Sequence, residues 1–192
     1  MTDAKAAYLA IATRKFAADG YHGASLAALA NEAGVTKQAL LHFFGSKERL
    51  YAEVLAGLAE RLCEEVDAAT VADPAAHLTA YFTGLAERAE TDDARLVIRA
   101  LLDSPEEAGF WPMKPFLDRL LRLAGRTQGG AAMEEEEALA RLFAVIGAIQ
   151  YFAISQRAIS GMYGWETSEG AAAAFKARIA ESVRELAAGG VE

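Results

Sequence analysis

The 192-residue sequence is poor in the residues that build most small catalytic or metal sites: it has one cysteine, Cys63, and three histidines, His22, His42 and His77. A single thiol excludes an intramolecular disulfide framework and a cysteine-rich zinc site. Cys63 then reads as a buried inert thiol or as an activated one, and no neighbouring cationic cluster favours activation. The histidines are scattered along the chain. His22 falls in a glycine-flanked turn, and His77 stands four residues after Asp73. That spacing is open to a metal, but a plain surface pair is the ordinary reading of it. The chain contains no GxxxxGK[ST], no GxSxG and no HExxH, so the phosphate-loop, serine-hydrolase and zinc-peptidase chemistries have no constellation to act through. The expectation is a protein that is not an enzyme and uses no metal or cofactor.

Proline is also scarce, with four residues in the chain, while hydrophobic residues make up 53% and alanine is abundant. That composition favours helices with little to interrupt them, and the expected class is all-α. No stretch reads as an uninterrupted apolar span, and Met1 leads into the polar pair Thr2-Asp3. The expectation is therefore no membrane segment, no signal peptide and a cytoplasmic location.

What the chain does have is concentrated in residues 25–51, SLAALANEAGVTKQALLHFFGSKERLY. Ser25 is an N-cap, and Leu26, Leu29 and Ala30 follow at helical spacing. Ala33-Gly34-Val35 breaks the pattern, because glycine accepts the left-handed conformation that a sharp turn requires. Thr36 caps a second helix over 36–43, with Ala39, Leu40 and either Phe43 or Phe44 inward. Gly45 ends it, and Ser46 caps a third helix running through Leu50, Val54, Leu58 and Leu62 toward Val66. Two short helices joined by a glycine turn have the form of a DNA-binding helix-turn-helix. Upstream, a first helix is expected from Thr2-Asp3 to just before Gly20, with Tyr8, Ile11, Ala12 and Phe16 on its core face.

The net charge of −8 is unevenly distributed. Residues 1–50 carry six basic and four acidic side chains, whereas the remainder carries 13 basic and 23 acidic ones. A weakly basic head on an acidic body is compatible with DNA binding, since phosphate attraction depends on the local field.

Phe16, Gly20-Tyr21, Ser25-Leu26, Ala33-Gly34-Val35-Thr36-Lys37, Leu40, Phe44 and Ser46-Lys47-Glu48 together resemble the N-terminal signature of the tetracycline-repressor (TetR) family of transcriptional regulators. The resemblance implies a three-helix DNA-binding head over residues 1–50. A helical effector-binding and dimerisation body follows over 51–192, with about nine helices in all. It also implies a homodimer packed through the last two helices, and a repressor released from a palindromic operator by a small-molecule effector. The DNA-facing residues would be Ser25, Thr36, Lys37, Gln38, Leu41, His42 and Lys47. Glutamine can pair bidentately with adenine, and lysine can reach guanine acceptors or a phosphate. Ser25 can cap its helix and meet a phosphate at once. Leu41 stands where the family has a tyrosine. Leucine can touch a thymine methyl but cannot hydrogen-bond a phosphate, so the anchoring role passes to Lys47 and His42.

In the body, Asp73 and Pro74 open a helix with Leu78, Tyr81, Phe82 and Leu85 on its apolar face. Another follows through Leu96, Val97, Ala100 and Leu101. Residues 104–109 read as a connection or, with Pro105 and the two glutamates after it, as the opening of a short helix; Pro112 and Pro115 bracket the start of the next helix, and Gly129-Gly130 reads as a linker. The acidic run 134–137 opens a long helix with Leu139, Leu142, Phe143, Ile146, Ile149 and Ala153 inward. The last helix runs through Phe175, Ile179, Val183 and Leu186. Small residues on these two helices would admit a partner helix, or the pair could only complete the monomer's own core. Candidate effector contacts are Tyr81, Phe82, Arg99, Phe110, Trp111, Phe116, Phe143, Gln150 and Tyr151, a set suited to an apolar or aromatic molecule. Arg99 would meet an anionic group on it, or pair with Asp103 one turn on. The alternative to a regulator is an all-helical interaction module without specific DNA binding.

Overall fold

The computed structural model describes residues 3–68, 73–88, 91–103, 112–124 and 134–188, and among these every regular element is an α-helix. The helices are α1 (Asp3–Gly23), α2 (Leu26–Glu32), α3 (Lys37–Phe44), α4 (Lys47–Ala68), α5 (Pro74–Glu87), α6 (Asp92–Asp103), α7 (Lys114–Ala124), α8 (Glu135–Tyr163) and α9 (Trp165–Ala188). They divide into two compact units, Met1–Arg61 with Thr91–Lys114, and Leu62–Glu90 with Pro115–Glu192. The sequence places a boundary at residue 50, which falls inside α4. It also assigns α6 to the body, whereas α6 packs on α1 in the first unit.

The first unit is built on Phe16, which is completely buried along with Ala12, Leu50 and Leu58, while Leu29, Leu40, Phe44 and Val54 close around it. Fully burying each large apolar side chain stabilises the fold by about 1.5–3 kcal/mol. The Phe16 ring meets Tyr51 edge-on at 4.8 Å and stacks on Tyr21 at 6.4 Å. Of the two phenylalanines left open at the end of α3, Phe44 is buried and Phe43 is 43% exposed, lying edge-on to Tyr8.

Two glycines shape this unit. Gly34, at φ 67°, ends α2 in a Schellman turn: the Val35 N–H donates to the Ala30 carbonyl at 2.9 Å, and the Gly34 N–H to Asn31 at 3.2 Å. Gly20 breaks α1 with φ 71° and ψ 176°, a region open essentially to glycine alone. A Cβ there would also stand 3.0 Å from the Asp103 carboxylate.

In the second unit, Leu78, Tyr81 and Phe82 of α5 are buried, as are Phe116 and Leu120 of α7 and Val183 of α9. Asp73 caps α5, its carboxylate accepting from the Ala76 N–H at 3.0 Å, with Pro74 in the first turn as expected. His77 is not a surface residue. It is buried, and its Nε2–H donates to the Val66 carbonyl, which makes it a satisfied core histidine. Cys63 is buried as expected.

The long helix α8 corrects two expectations. Its buried stripe is Ala138, Leu142, Val145 and Ile149, and Phe143, expected inward, is 57% exposed. Both faces of α8 are apolar, so periodicity alone could not say which one turns inward. Its length and an 18-residue window of mean hydropathy 1.6 also suffice to cross a membrane, which the sequence reading denied to every stretch. That window is only 22% buried, and α8 packs along α9.

Replacing Gly20 with Ala should destabilise the protein by about 1–3 kcal/mol in urea unfolding. A cost within a few tenths would mean that the kink relaxes without strain.

Candidate nucleic-acid interface

Five of the seven expected DNA-facing residues fall at three helix starts. Ser25 is the N-cap of α2, its hydroxyl accepting from the Ala28 N–H at 3.1 Å; Thr36 is the N-cap of α3, accepting from Ala39 at 3.1 Å. Ser46 does the same for α4, accepting from the Arg49 N–H at 3.2 Å. Each cap satisfies one of the N–H groups that a helix start leaves unpaired, and the rest of the turn keeps free donors and positive partial charge.

In the first turn of α3, Lys37 and Gln38 are exposed beside the exposed Thr36. His42 is exposed one turn on, and Leu41 is half-buried. The short loop before α3 and the buried Leu40 and Phe44 behind it fix this turn on the unit. Its outer surface is a lysine, an amide and an imidazole.

The basic residues of the head divide by partner. Lys5 pairs with Glu53 at 2.7 Å and lies over the Phe44 ring; Arg14 and Lys15 share Glu32, at 3.0 and 3.4 Å. Among the described residues no carboxylate pairs with Lys37, Lys47 or Arg49, so these three supply the open positive charge next to α3. Arg49 was missed as a candidate in the sequence. The available signal was its place beside Lys47 in the first turn of α4.

Lys47 is not simply a solvated charge. Its ammonium sits 4.5 Å above the Tyr21 ring, and the Tyr21 hydroxyl donates to Glu48 at 2.8 Å. A cation over a tyrosine face is worth about 0.5–1 kcal/mol at an exposed site. In the sequence Tyr21 stands only as part of the N-terminal signature, because nothing there links it to a lysine so far along the chain. Burial, followed by the Glu48 carboxylate, pushes the Tyr21 phenol up to about 12. The Ser46 hydroxyl, the Glu48 backbone amide and the Tyr21 hydroxyl together hold Glu48 down to about 2.

The described effector candidates fall in both units. Tyr81, Phe82 and Phe116 pack together in the second unit, with Tyr81 lying 5.3 Å from Phe82 and 6.1 Å from Phe116, centroid to centroid. The Tyr81 hydroxyl is buried without a hydrogen-bond partner among the described residues, and burial raises its pKa. Arg99 belongs to the first unit, where its guanidinium donates to the Ala18 carbonyl at 3.3 Å. Phe143 and Tyr151 lie on the exposed face of α8, and Gln150 is half-buried beside them. Phe110 and Trp111 lie outside the described residues, as do the connection at 104–109 and the Gly129-Gly130 linker. An open groove of about 310 Å³ runs between α8 and α9, lined by Tyr151, Phe152, Ser155, Gln156, Ser168 and Phe175 among others. Phe152 and Phe175 stack at 4.4 Å along it.

Glu48 should titrate near 2 by NMR, and Tyr21→Phe should raise that midpoint toward the ordinary 4.5. Because the folded value is the lower one, the stability this group contributes is present above the unfolded pKa near 4.5 and is lost as pH falls through about 2. A wild-type midpoint at the ordinary value would mean that the carboxylate is not held.

Residues 9–54 match the family described as bacterial regulatory proteins, tetR family. No curated protein matches the chain. Among solved structures, the chain is similar to a protein described as a transcriptional regulator from Streptomyces coelicolor. The identity is 26% and the TM-score 0.67, over 93% of this chain and 95% of that one. It is also similar to AibR, solved with isovaleryl coenzyme A and operator DNA, at 18% identity and TM-score 0.65 over 96% and 97%. FadR from Bacillus subtilis, solved with stearoyl-CoA, is similar at 15% and 0.56 over 96% and 98%. The two less identical neighbours share the fold. Residues 9–54, with their capped α2 and α3 and the open positive charge at the start of α3, thus carry the DNA-binding segment of the tetR family of bacterial regulatory proteins.

Proposed function

We propose that the chain acts as a homodimeric repressor that grips a roughly palindromic operator with two heads and lets go when a small molecule binds its second unit. The observation that carries the DNA half of this reading is the exposed first turn of α3. Thr36 is committed to capping, and Lys37 and Gln38 are free to reach base edges and phosphates. Leu41 and His42 lie on the following turn, and Ser25 and Lys47 start the flanking helices, where their backbone N–H groups suit phosphate oxygens. In a two-fold dimer the two copies of α3 would enter successive major grooves ~34 Å apart. Such a protein works where the chromosome is, in the cytoplasm, and a catalytic step forms no part of its action.

The apolar outer faces of the last two helices support the dimer. On α8, Ala140, Phe143, Ala144, Gly147, Tyr151 and Ile154 recur at three- and four-residue spacing and are all exposed. On α9, Gly170, Ala173, Ala174 and Ala177 are exposed along one stripe. Small residues let helices approach closely, and a paired α8–α9 face would take this surface out of water.

For the effector, the support is Tyr81. A buried hydroxyl without a partner costs about 1–3 kcal/mol, and a ligand carrying a hydrogen-bond acceptor would recover that. Phe82 and Phe116 beside it suit an apolar or aromatic body. AibR and FadR were solved with acyl-coenzyme A molecules, which makes acyl thioesters a reasonable first panel. Release needs only that the effector prefer one conformation by a few kcal/mol.

Selection from a random duplex pool should enrich a palindrome. Failure to enrich any sequence, with the protein folded and dimeric, would favour an interaction module instead. Gln38→Ala should relax preference at one operator position and cost ~1–3 kcal/mol there; an equal loss on every sequence would remove Gln38 from base reading. Ile154→Asp should leave the helical content intact and shift the sedimentation coefficient to that of a monomer. A persisting dimer would place the interface elsewhere.

A further inference from the structure

The end of α6 reaches into the DNA-reading unit at the point where α1 breaks. An Asp103 carboxylate oxygen accepts the Tyr21 backbone N–H at 2.6 Å, a short charge-assisted bond in a half-buried setting. The same oxygen occupies the space that a side chain on Gly20 would fill. Arg99, one turn earlier on α6, donates to the Ala18 carbonyl, so two charged side chains of one helix hold the two sides of the kink.

Tyr21 is the residue that this kink aims. Its ring stacks on Phe16, lies 5.0 Å from the Tyr51 ring and forms the floor beneath the Lys47 ammonium, while its hydroxyl holds Glu48. The backbone N–H that Asp103 accepts and the ring that carries Lys47 belong to one residue. With Gly20 in a glycine-only conformation, the backbone alone does not fix where Tyr21 points.

We infer that Asp103 is a positioning residue for DNA binding, one that sets the Lys47 ammonium for a phosphate through the Gly20 kink and the Tyr21 ring. The inference rests on the proposed phosphate contact of Lys47 and adds that α6, outside the helix-turn-helix, decides its geometry. A plain end-cap would do less: it would keep α1 folded and leave the phosphate contacts as they are.

The slope of log affinity against log salt separates the two, because it counts phosphate contacts. It is measured with a labelled duplex enriched from the random pool. Lys47→Ala should make the slope shallower by about one unit per head. Asp103→Ala should produce the same flattening, Asp103→Asn should restore it because the amide oxygen still accepts the Tyr21 N–H, and Asp103→Ala with Lys47→Ala together should flatten it no further than Lys47→Ala alone. If Asp103→Ala lowers the melting temperature but leaves the slope untouched, or if the two flattenings add, Asp103 does not act through Lys47. If Lys47→Ala itself leaves the slope unchanged, the Lys47 contact is wrong and the inference falls with it. Should Asp103→Ala fail to fold, Tyr21→Leu removes the same platform and must flatten the slope in its place.

Discussion

The turn at Gly34 is the constraint on which the DNA-reading surface depends. A helix start presents its unpaired N–H groups and its first side chains in one direction, so the angle between α2 and α3 decides what α3 can reach. That angle is set by one residue in the left-handed region and by two backbone hydrogen bonds back into α2. A side chain at this position would meet no atom, so the demand for glycine is conformational and not steric. Leu29, Leu40 and Phe44 then bury the inner faces of the two helices, which leaves Lys37 and Gln38 outward as a consequence of packing.

Charge in the first unit is organised by the same logic of allotment. Lys5, Arg14 and Lys15 are tied to carboxylates on neighbouring helices, where exposed pairs contribute at most about 1 kcal/mol each. Their pairing leaves Lys37, Lys47 and Arg49 to supply the local field. A protein with a net charge of −8 can then attract phosphates, because at physiological salt charges beyond about 8 Å are largely screened.

The second unit poses a different problem, since α8 is apolar on both faces while only one of them packs inside the monomer. Length and hydropathy describe a membrane span and an interface helix equally well. α8 also carries Gln150, Ser155, Gln156 and Arg157, and its exposed stripe alternates glycine and alanine with Tyr151 and Ile154. That pattern suits close packing against another helix.

Much of this protein was legible in its sequence because the information was local. N-caps at Ser25, Thr36, Ser46 and Asp73, the glycine at 34 and the apolar periodicity of α4 depend only on near neighbours, and backbone sterics and side-chain hydrogen bonds act over that range. The exposure of Lys37, Gln38 and His42 followed from the same periodicity. The tertiary structure alone decided what depended on distant partners. It turned His77 inward onto Val66, set Arg99 against the Ala18 carbonyl of α1, and chose between Phe43 and Phe44. It also gave Lys47 and Asp103 their shared partner in Tyr21. Such contacts join residues 11 to 82 positions apart, and no propensity or periodicity carries them, because they exist only once the helices have packed.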